Sequence, residues 1–211
     1  MKQQKIAVLG GSGRTGKYLV NSLINRGFQV KLLLRKPEQF QLKSSLIEII
    51  KGDATNPDAI RKLVQGCQAV ISTVGQRGGE PLVASRAVTN VLEAMNTFGT
   101  KRFIALAGLN VDTPTDRKSA ETSMATEWMK VNFPEIHTDR QKSYTILNES
   151  DLDWTLVRVP FIEFLDAEGE LAVKLDDCPS GKINAGSLAA FLADQLSDVT
   201  YIREAPFVAS I

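Results

Sequence analysis

Ile6-Ala7-Val8-Leu9-Gly10-Gly11-Ser12-Gly13-Arg14-Thr15-Gly16 is the stretch that decides the fold. Four consecutive apolar residues halt at a glycine pair. A short apolar run bounded by glycine reads as a strand buried on both faces, as in a parallel sheet. From Thr15 to Asn25, Leu19, Leu23 and Ile24 share one helical stripe and Arg26-Gly27 supplies a stop, so a helix follows. Across this strand-to-helix junction Gly10, Gly13 and Gly16 are spaced three and three. One glycine makes the tight turn, one lets backbone approach a pyrophosphate, and one lets the helix pack close to the sheet. The helix N-terminus then offers unpaired N–H groups and the positive end of its dipole to phosphates. A glycine triplet alone is equally a mere tight turn; the flanking strand and helix favour the dinucleotide loop. A nucleoside triphosphate loop is excluded, since no Ser or Thr follows Lys17.

Outward from this loop, strands and helices alternate. Val30 to Leu34, Leu46 to Ile50, Ala69 to Val74 and Arg102 to Leu106 read as further strands. Between them, helices are expected from Pro57 to Gln65, with Asn56 as N-cap, and from Leu82 to Phe98. In the second half, Leu109 to Lys118 reads as a polar loop and Ser119 to Val131 as a helix. Pro134 is expected to interrupt before a helix from Thr138 to Glu149. A strand from Trp154 to Val159 closes at Pro160, a helix runs from Ser187 (its N-cap) to Leu196, and Phe207 to Ala209 ends the sheet. The pattern predicts α/β architecture: a single Rossmann-type, doubly wound parallel sheet of about seven strands with helices on both faces. No linker or repeat divides the chain, so residues 1–211 read as one domain, with residues 161–180 as a short substrate-pocket segment.

The identity of the dinucleotide turns on the end of the second strand. An NAD site places an acidic residue there, about 20 residues after the glycines, for the ribose 2′-hydroxyl. Here the chain has Leu34-Arg35-Lys36. A guanidinium in place of a carboxylate suits a 2′-phosphate, and Arg14 is a second cation for it, so NADP(H) is the expected cofactor. The bland alternative is that Arg35 and Lys36 form a solvated strand end. Asp53 and Thr73-Val74-Gly75 fall at carboxyl ends of strands, where such sheets bind ligands. Asp53 suits the adenine amino group or, equally, a cap for the next helix.

Composition sets outer limits. The 211 residues are 43% hydrophobic and 23% charged with a net charge of +1, which leaves no electrostatic footprint for nucleic acid. Two distant cysteines, Cys67 and Cys178, have no metal-ligand spacing and suggest a reduced, cytoplasmic protein, with a disulfide as the lesser alternative. No signal-peptide pattern opens the chain, and no apolar run nears the roughly 20 residues that cross a bilayer. No metal and no membrane partner are expected, and the protein is expected to be a monomer or homodimer.

Taken together, the glycine loop, Gly52-Asp53-Ala54, and Leu152-Asp153-Trp154-Thr155-Leu156-Val157-Arg158-Val159-Pro160 resemble the atypical short-chain dehydrogenase/reductase superfamily. More narrowly, the chain is similar to the NAD(P)-binding, NmrA-like group that includes biliverdin-IXβ/flavin reductases. The resemblance extends through Gly181-Lys182-Ile183 and Asp194-Gln195-Leu196 to Ala205-Pro206-Phe207. It implies cofactor contacts at Gly10, Ser12, Gly13, Arg14, Thr15, Gly16, Arg35, Lys36, Asp53, Ala54, Thr73, Val74 and Gly75. It further implies Ala107 and Gly108 beside the nicotinamide riboside, and Pro160, Phe161 and Ile162 near the nicotinamide ring.

One departure from the wider superfamily bears on chemistry. Its Tyr-x-x-x-Lys proton relay reads Ile136 and Arg140 here, and the strand end that usually offers Ser or Thr reads Ala107-Gly108. Tyr144 and His137 are the remaining titratable candidates, the first more readily explained as a half-buried helix residue and the second as a surface residue at a helix start. The leading expectation is an NADPH-dependent oxidoreductase that passes hydride to a small planar acceptor of the flavin, quinone or tetrapyrrole type. The alternative is a non-enzymatic NADP(H) sensor of the NmrA-like kind, since a fold alone never proves catalysis.

Overall fold

The computed structural model describes residues 4–76, 78–167 and 169–211. Its strands and helices follow one another as β1 (Lys5–Leu9), α1 (Gly16–Asn25), β2 (Gln29–Leu34), β3 (Ile47–Lys51), α2 (Pro57–Val64), β4 (Ala69–Ser72), α3 (Ala84–Phe98) and β5 (Arg102–Gly108). The second half holds α4 (Ala120–Asn132), α5 (Pro134–Asn148), β6 (Asp153–Val159), β7 (Phe161–Glu163), β8 (Leu171–Lys174), β9 (Lys182–Asn184), α6 (Ala185–Asp194) and β10 (Phe207–Ser210).

The main sheet runs β3-β2-β1-β4-β5-β6-β10-β8. The first seven strands are parallel, as expected, and β8 adds an antiparallel edge against β10. Alternation along β1 builds the two cores. Ala7 and Leu9 face a cluster with Ile60, Val91, Leu147 and Trp154, whereas Ile6 and Val8 face Leu19, Leu23, Leu188 and Leu192. Helices α2, α3 and α5 thus cover one face, and α1 and α6 the other. Burial of both faces explains why the strand reads as an unbroken apolar run. Among the described residues no helix is long and apolar enough to cross a membrane.

Four local expectations change. Strand β4 ends at Ser72, and the Thr73 amide and hydroxyl make the last contact with β1, both donating to the Leu9 carbonyl (3.0 and 3.3 Å). Pro134 opens α5 instead of interrupting it, since its missing N–H falls at a helix start where no intrahelical partner exists. Asn184, not Ser187, is the N-cap of α6. Ser187 is buried in its first turn, accepting from the Gly169 amide at 3.0 Å. The segment expected only as a pocket lining contains β7 and β8, and β7 pairs with β9 in a separate parallel ribbon.

Candidate functional site

The glycine loop joins β1 to α1 at the carboxyl edge, beside the point where chain order reverses between β1 and β4. Gly10 has a φ of 78°, and a Cβ there would meet the Thr73 carbonyl carbon at 2.8 Å. A Cβ on Gly16 would overlap the Gly10 carbonyl, so this glycine sets how closely α1 approaches the turn. Gly11 is pressed against Leu32 and Val20, a packing constraint hidden within the loop motif. Gly13 differs: a Cβ would touch only the Gly10 carbonyl, at 3.1 Å, and its own amide closes the turn on that oxygen at 2.9 Å. Among the described residues, the backbone N–H groups of Ser12, Arg14 and Thr15 have no hydrogen-bond acceptor. Orphan donors at a helix start suit an anion, so the chemistry present fits a pyrophosphate.

Arg35 leaves the end of β2 and forms a two-pronged pair with Glu80, at 2.7 and 3.1 Å, while the nearer Asp53 oxygen stands 3.9 Å away. Lys36 next to it is exposed. Asp53 is no helix cap: it accepts from the Thr55 amide (2.8 Å) and hydroxyl (2.6 Å), and Asn56 caps α2 through the Ala59 amide. Burial would raise the Asp53 carboxyl, but the Thr55 hydrogen bonds and the Arg35 charge outweigh it and hold the group below its ordinary value. The Ala54 carbonyl accepts from Asn90 at 3.0 Å. Thr73, Val74 and Gly75 leave the end of β4 on the same edge. Arg14 stacks on Phe164, with its guanidinium carbon 4.5 Å from the ring centre, so the two cations expected to share a phosphate are engaged by different segments.

On the other side of the loop, β5 and β6 end in register, Ala107 opposite Arg158 and Gly108 opposite Val159. Ala107 and Pro160 are buried, Ile162 is half-buried, and Phe161 and Leu165 are exposed. The Tyr18 hydroxyl donates to the Phe164 carbonyl at 2.8 Å and the Gly186 amide to that of Leu165 at 3.1 Å, which fastens this segment to α1 and α6. His137, in the first turn of α5, lies 3.1 Å from the buried Asn110, two residues past β5. It therefore sits at the carboxyl edge and is partly buried, which corrects its reading as a surface residue. Tyr144 does not join it. Its ring meets Trp154, near the start of β6, edge-on at 6.2 Å, and the charges that act on its hydroxyl are those of Arg158, Asp116 and Glu204. Arg140, in the relay lysine's place, donates to the Val74 carbonyl at 2.6 Å, and burial pulls its guanidinium below its ordinary value.

Sequence reasoning missed Asn110, Glu80 and Asp139. Asp139 is buried on α5 and accepts from the Ala84 and Ser85 amides at the start of α3 (2.8 and 3.3 Å). Both thiols are free. Burial pushes Cys67 and Cys178 up to about 11, so neither is a ready nucleophile.

Comparison with known proteins adds a family. A model of an NAD(P)H-binding family matches residues 10–199. The chloroplastic divinyl chlorophyllide a 8-vinyl-reductase of Arabidopsis thaliana is 25% identical over 231 aligned positions, covering 96% of this chain and 52% of the relative. An isoflavone reductase homolog of Nicotiana tabacum is 31% identical over 122 residues, covering 53% of this chain and 37% of its own. The chain thus spans about half or less of the length of the curated relatives it matches. Among solved structures, the oxidoreductase ylbE of Lactococcus lactis superposes with a TM-score of 0.81 at 20% identity, covering 99% of this chain and 91% of that one. A short-chain dehydrogenase/reductase of Veillonella parvula in complex with NADP gives 0.81 at 14% identity, covering 98% and 94%. At such identities the likeness shows the fold.

Proposed function

This chain belongs to the NAD(P)H-binding family, and we propose that it works as an NADPH-dependent reductase of a small planar acceptor. The observation that carries the reading is the pairing of two features on one sheet edge. Free amides at Ser12, Arg14 and Thr15 are placed for a pyrophosphate, and Arg35 stands where an NAD-selective site keeps a carboxylate. Bound there, the cofactor would supply hydride, which is chemistry the side chains need not provide.

The chain's own part is binding and orientation. Gly13 leaves the loop open for close backbone approach, and Arg35 is the residue for the 2′-phosphate, by way of charge-assisted bonds. Ala107, Gly108 and Pro160 themselves carry no ionisable group, and the exposed Phe161 and Leu165 add apolar surface next to them. That suits a flat, weakly discriminated acceptor of the flavin, quinone or tetrapyrrole type. With Arg140 committed to a backbone carbonyl, proton delivery falls to solvent. All of this uses one sheet and its two covering layers, which supports reading the chain as a single Rossmann unit with residues 161–180 as its rim.

The test is NADPH oxidation at 340 nm with FMN, dichlorophenolindophenol and biliverdin as acceptors. The expected result is turnover with at least one of them. Tight NADPH binding with no acceptor reduced across a broad panel would overturn the reductase reading in favour of a sensor of the NmrA-like kind.

A further inference from the structure

We propose that Glu80 sets the preference between NADPH and NADH by standing on Arg35 as an internal substitute for the 2′-phosphate. The inference rests on the reading that Arg35 receives that phosphate. The geometry is the first support. Glu80 meets the guanidinium with both carboxylate oxygens, Nη1 to Oε2 at 2.7 Å and Nη2 to Oε1 at 3.1 Å. This is the fork-on-fork arrangement that a phosphate's oxygens also make, so Glu80 holds donors that a 2′-phosphate needs.

Topology is the second support. Strands β2 and β4 flank β1, and the glycine loop leaves the sheet between them. Arg35 follows β2 and Glu80 lies in the connection after β4, so the pair bridges the gap above the end of β1. The connection is braced on either side of Glu80. Arg140 holds the Val74 carbonyl, and Asp139 holds the Ala84 and Ser85 amides and the Ser85 hydroxyl. Closer in, the Gln76 side-chain amide donates to the Glu80 carbonyl at 2.9 Å and to that of Pro81 at 3.3 Å. These contacts hold the two ends of the connection, and the Gln76 bonds fold it locally where Glu80 meets Arg35.

The consequence for the two cofactors is opposite in sign. A 2′-phosphate approaching Arg35 finds its donors taken and meets two carboxylates, Glu80 and the Asp53 oxygen 3.9 Å from the guanidinium. It binds only if Glu80 rotates away. A 2′-hydroxyl carries no charge to repel and finds an acceptor of the type that NAD sites place at the end of the second strand. The acid absent from that strand is thus supplied from 45 residues away. Both partners are 41% exposed, and exposed pairs are weak, so the carboxylate can be displaced.

Isothermal titration at fixed ionic strength decides this, with NADPH, NADH, 2′,5′-ADP and 5′-AMP as ligands. The proteins are wild type, Glu80→Gln, Arg35→Ala and the double variant, each checked for folding by circular dichroism. Glu80→Gln is expected to tighten NADPH and 2′,5′-ADP by about 1.4-fold to fivefold. It is expected to leave NADH and 5′-AMP unchanged or weaker, and the tightening should vanish in the Arg35→Ala background. If Arg35→Ala weakens NADPH but Glu80→Gln leaves it unchanged or weaker, the proposal for Glu80 is wrong while the role of Arg35 stands. If Arg35→Ala leaves NADPH binding unchanged, the reading beneath the proposal fails and takes it down too.

Discussion

Tyr144 and His137 offer the same formal capacity for proton transfer, and their surroundings separate them. Tyr144 packs edge-on against the buried Trp154, and burial raises its hydroxyl above the ordinary value. His137 stands at the carboxyl edge against Asn110. A positioned general acid contributes about 10²- to 10⁴-fold, so on the solvent-proton account Tyr144→Phe and His137→Ala should each cost less than roughly fivefold in kcat. A hundredfold loss in His137→Ala with NADPH affinity intact would make that imidazole the proton donor. The same residue carries a pH signature. Burial, and then the Lys130 charge, pull His137 below its ordinary value, so the unfolded chain binds this proton more readily than the folded one. Its contribution is therefore present above about pH 6.5 and lost as pH falls through the folded value. Urea midpoints at pH 7 and pH 5 should fall further in wild type than in His137→Ala; an equal fall would remove His137 from the acid response.

The glycine loop shows how element-scale constraints become visible in sequence. Gly16→Val should cost the fold, because the added Cβ overlaps the Gly10 carbonyl, whereas Gly13→Val should keep the fold and lose NADPH binding. Circular dichroism and cofactor titration separate the two variants, and normal NADPH binding by Gly13→Val would reduce the loop to a turn. Such positions are legible because a backbone requirement selects one residue type. The parallel strands are legible for a related reason, since burial on both faces leaves continuous apolar runs such as Ile6 to Leu9. Strands β7, β8 and β9 are three or four residues long and carry no usable period, so nothing local announces them. The site's side-chain pairs were equally hidden. Arg35 and Glu80 are 45 residues apart, Asn110 and His137 are 27 apart, and Asp139 caps a helix 54 residues before it. Those partnerships exist only once the sheet order brings the loops together.

Across the molecule, Arg158 holds the carboxyl edge of β6 in place. It is fully buried, its guanidinium donates to Asp116 and to the carbonyls of Val111, Leu175 and Ala205, and it stacks 3.6 Å above the centre of Phe207. One side chain thereby ties the loop after β5, the end of β8 and the entry to β10. Arg158→Met keeps much of the volume but leaves the largely covered Asp116 carboxylate with the Thr113 amide and hydroxyl and, as its nearest cation among the described residues, Lys118 at 3.7 Å. Breaking such a pair costs about 3–5 kcal/mol, which urea denaturation at pH 7 should report; a loss under 1 kcal/mol would mean that the ion pair contributes little to the fold. The carboxyl edge as a whole is proposed as an NADP(H) seat with Arg35 at the 2′-phosphate. The most direct test of that assignment is the affinity of the wild-type chain and of Arg35→Ala for NADPH and NADH. A charge-assisted bond is worth about 1.5–3 kcal/mol, so Arg35→Ala should weaken NADPH by roughly 10- to 150-fold and barely change NADH. Equal wild-type affinities for the two cofactors, both untouched by Arg35→Ala, would contradict it.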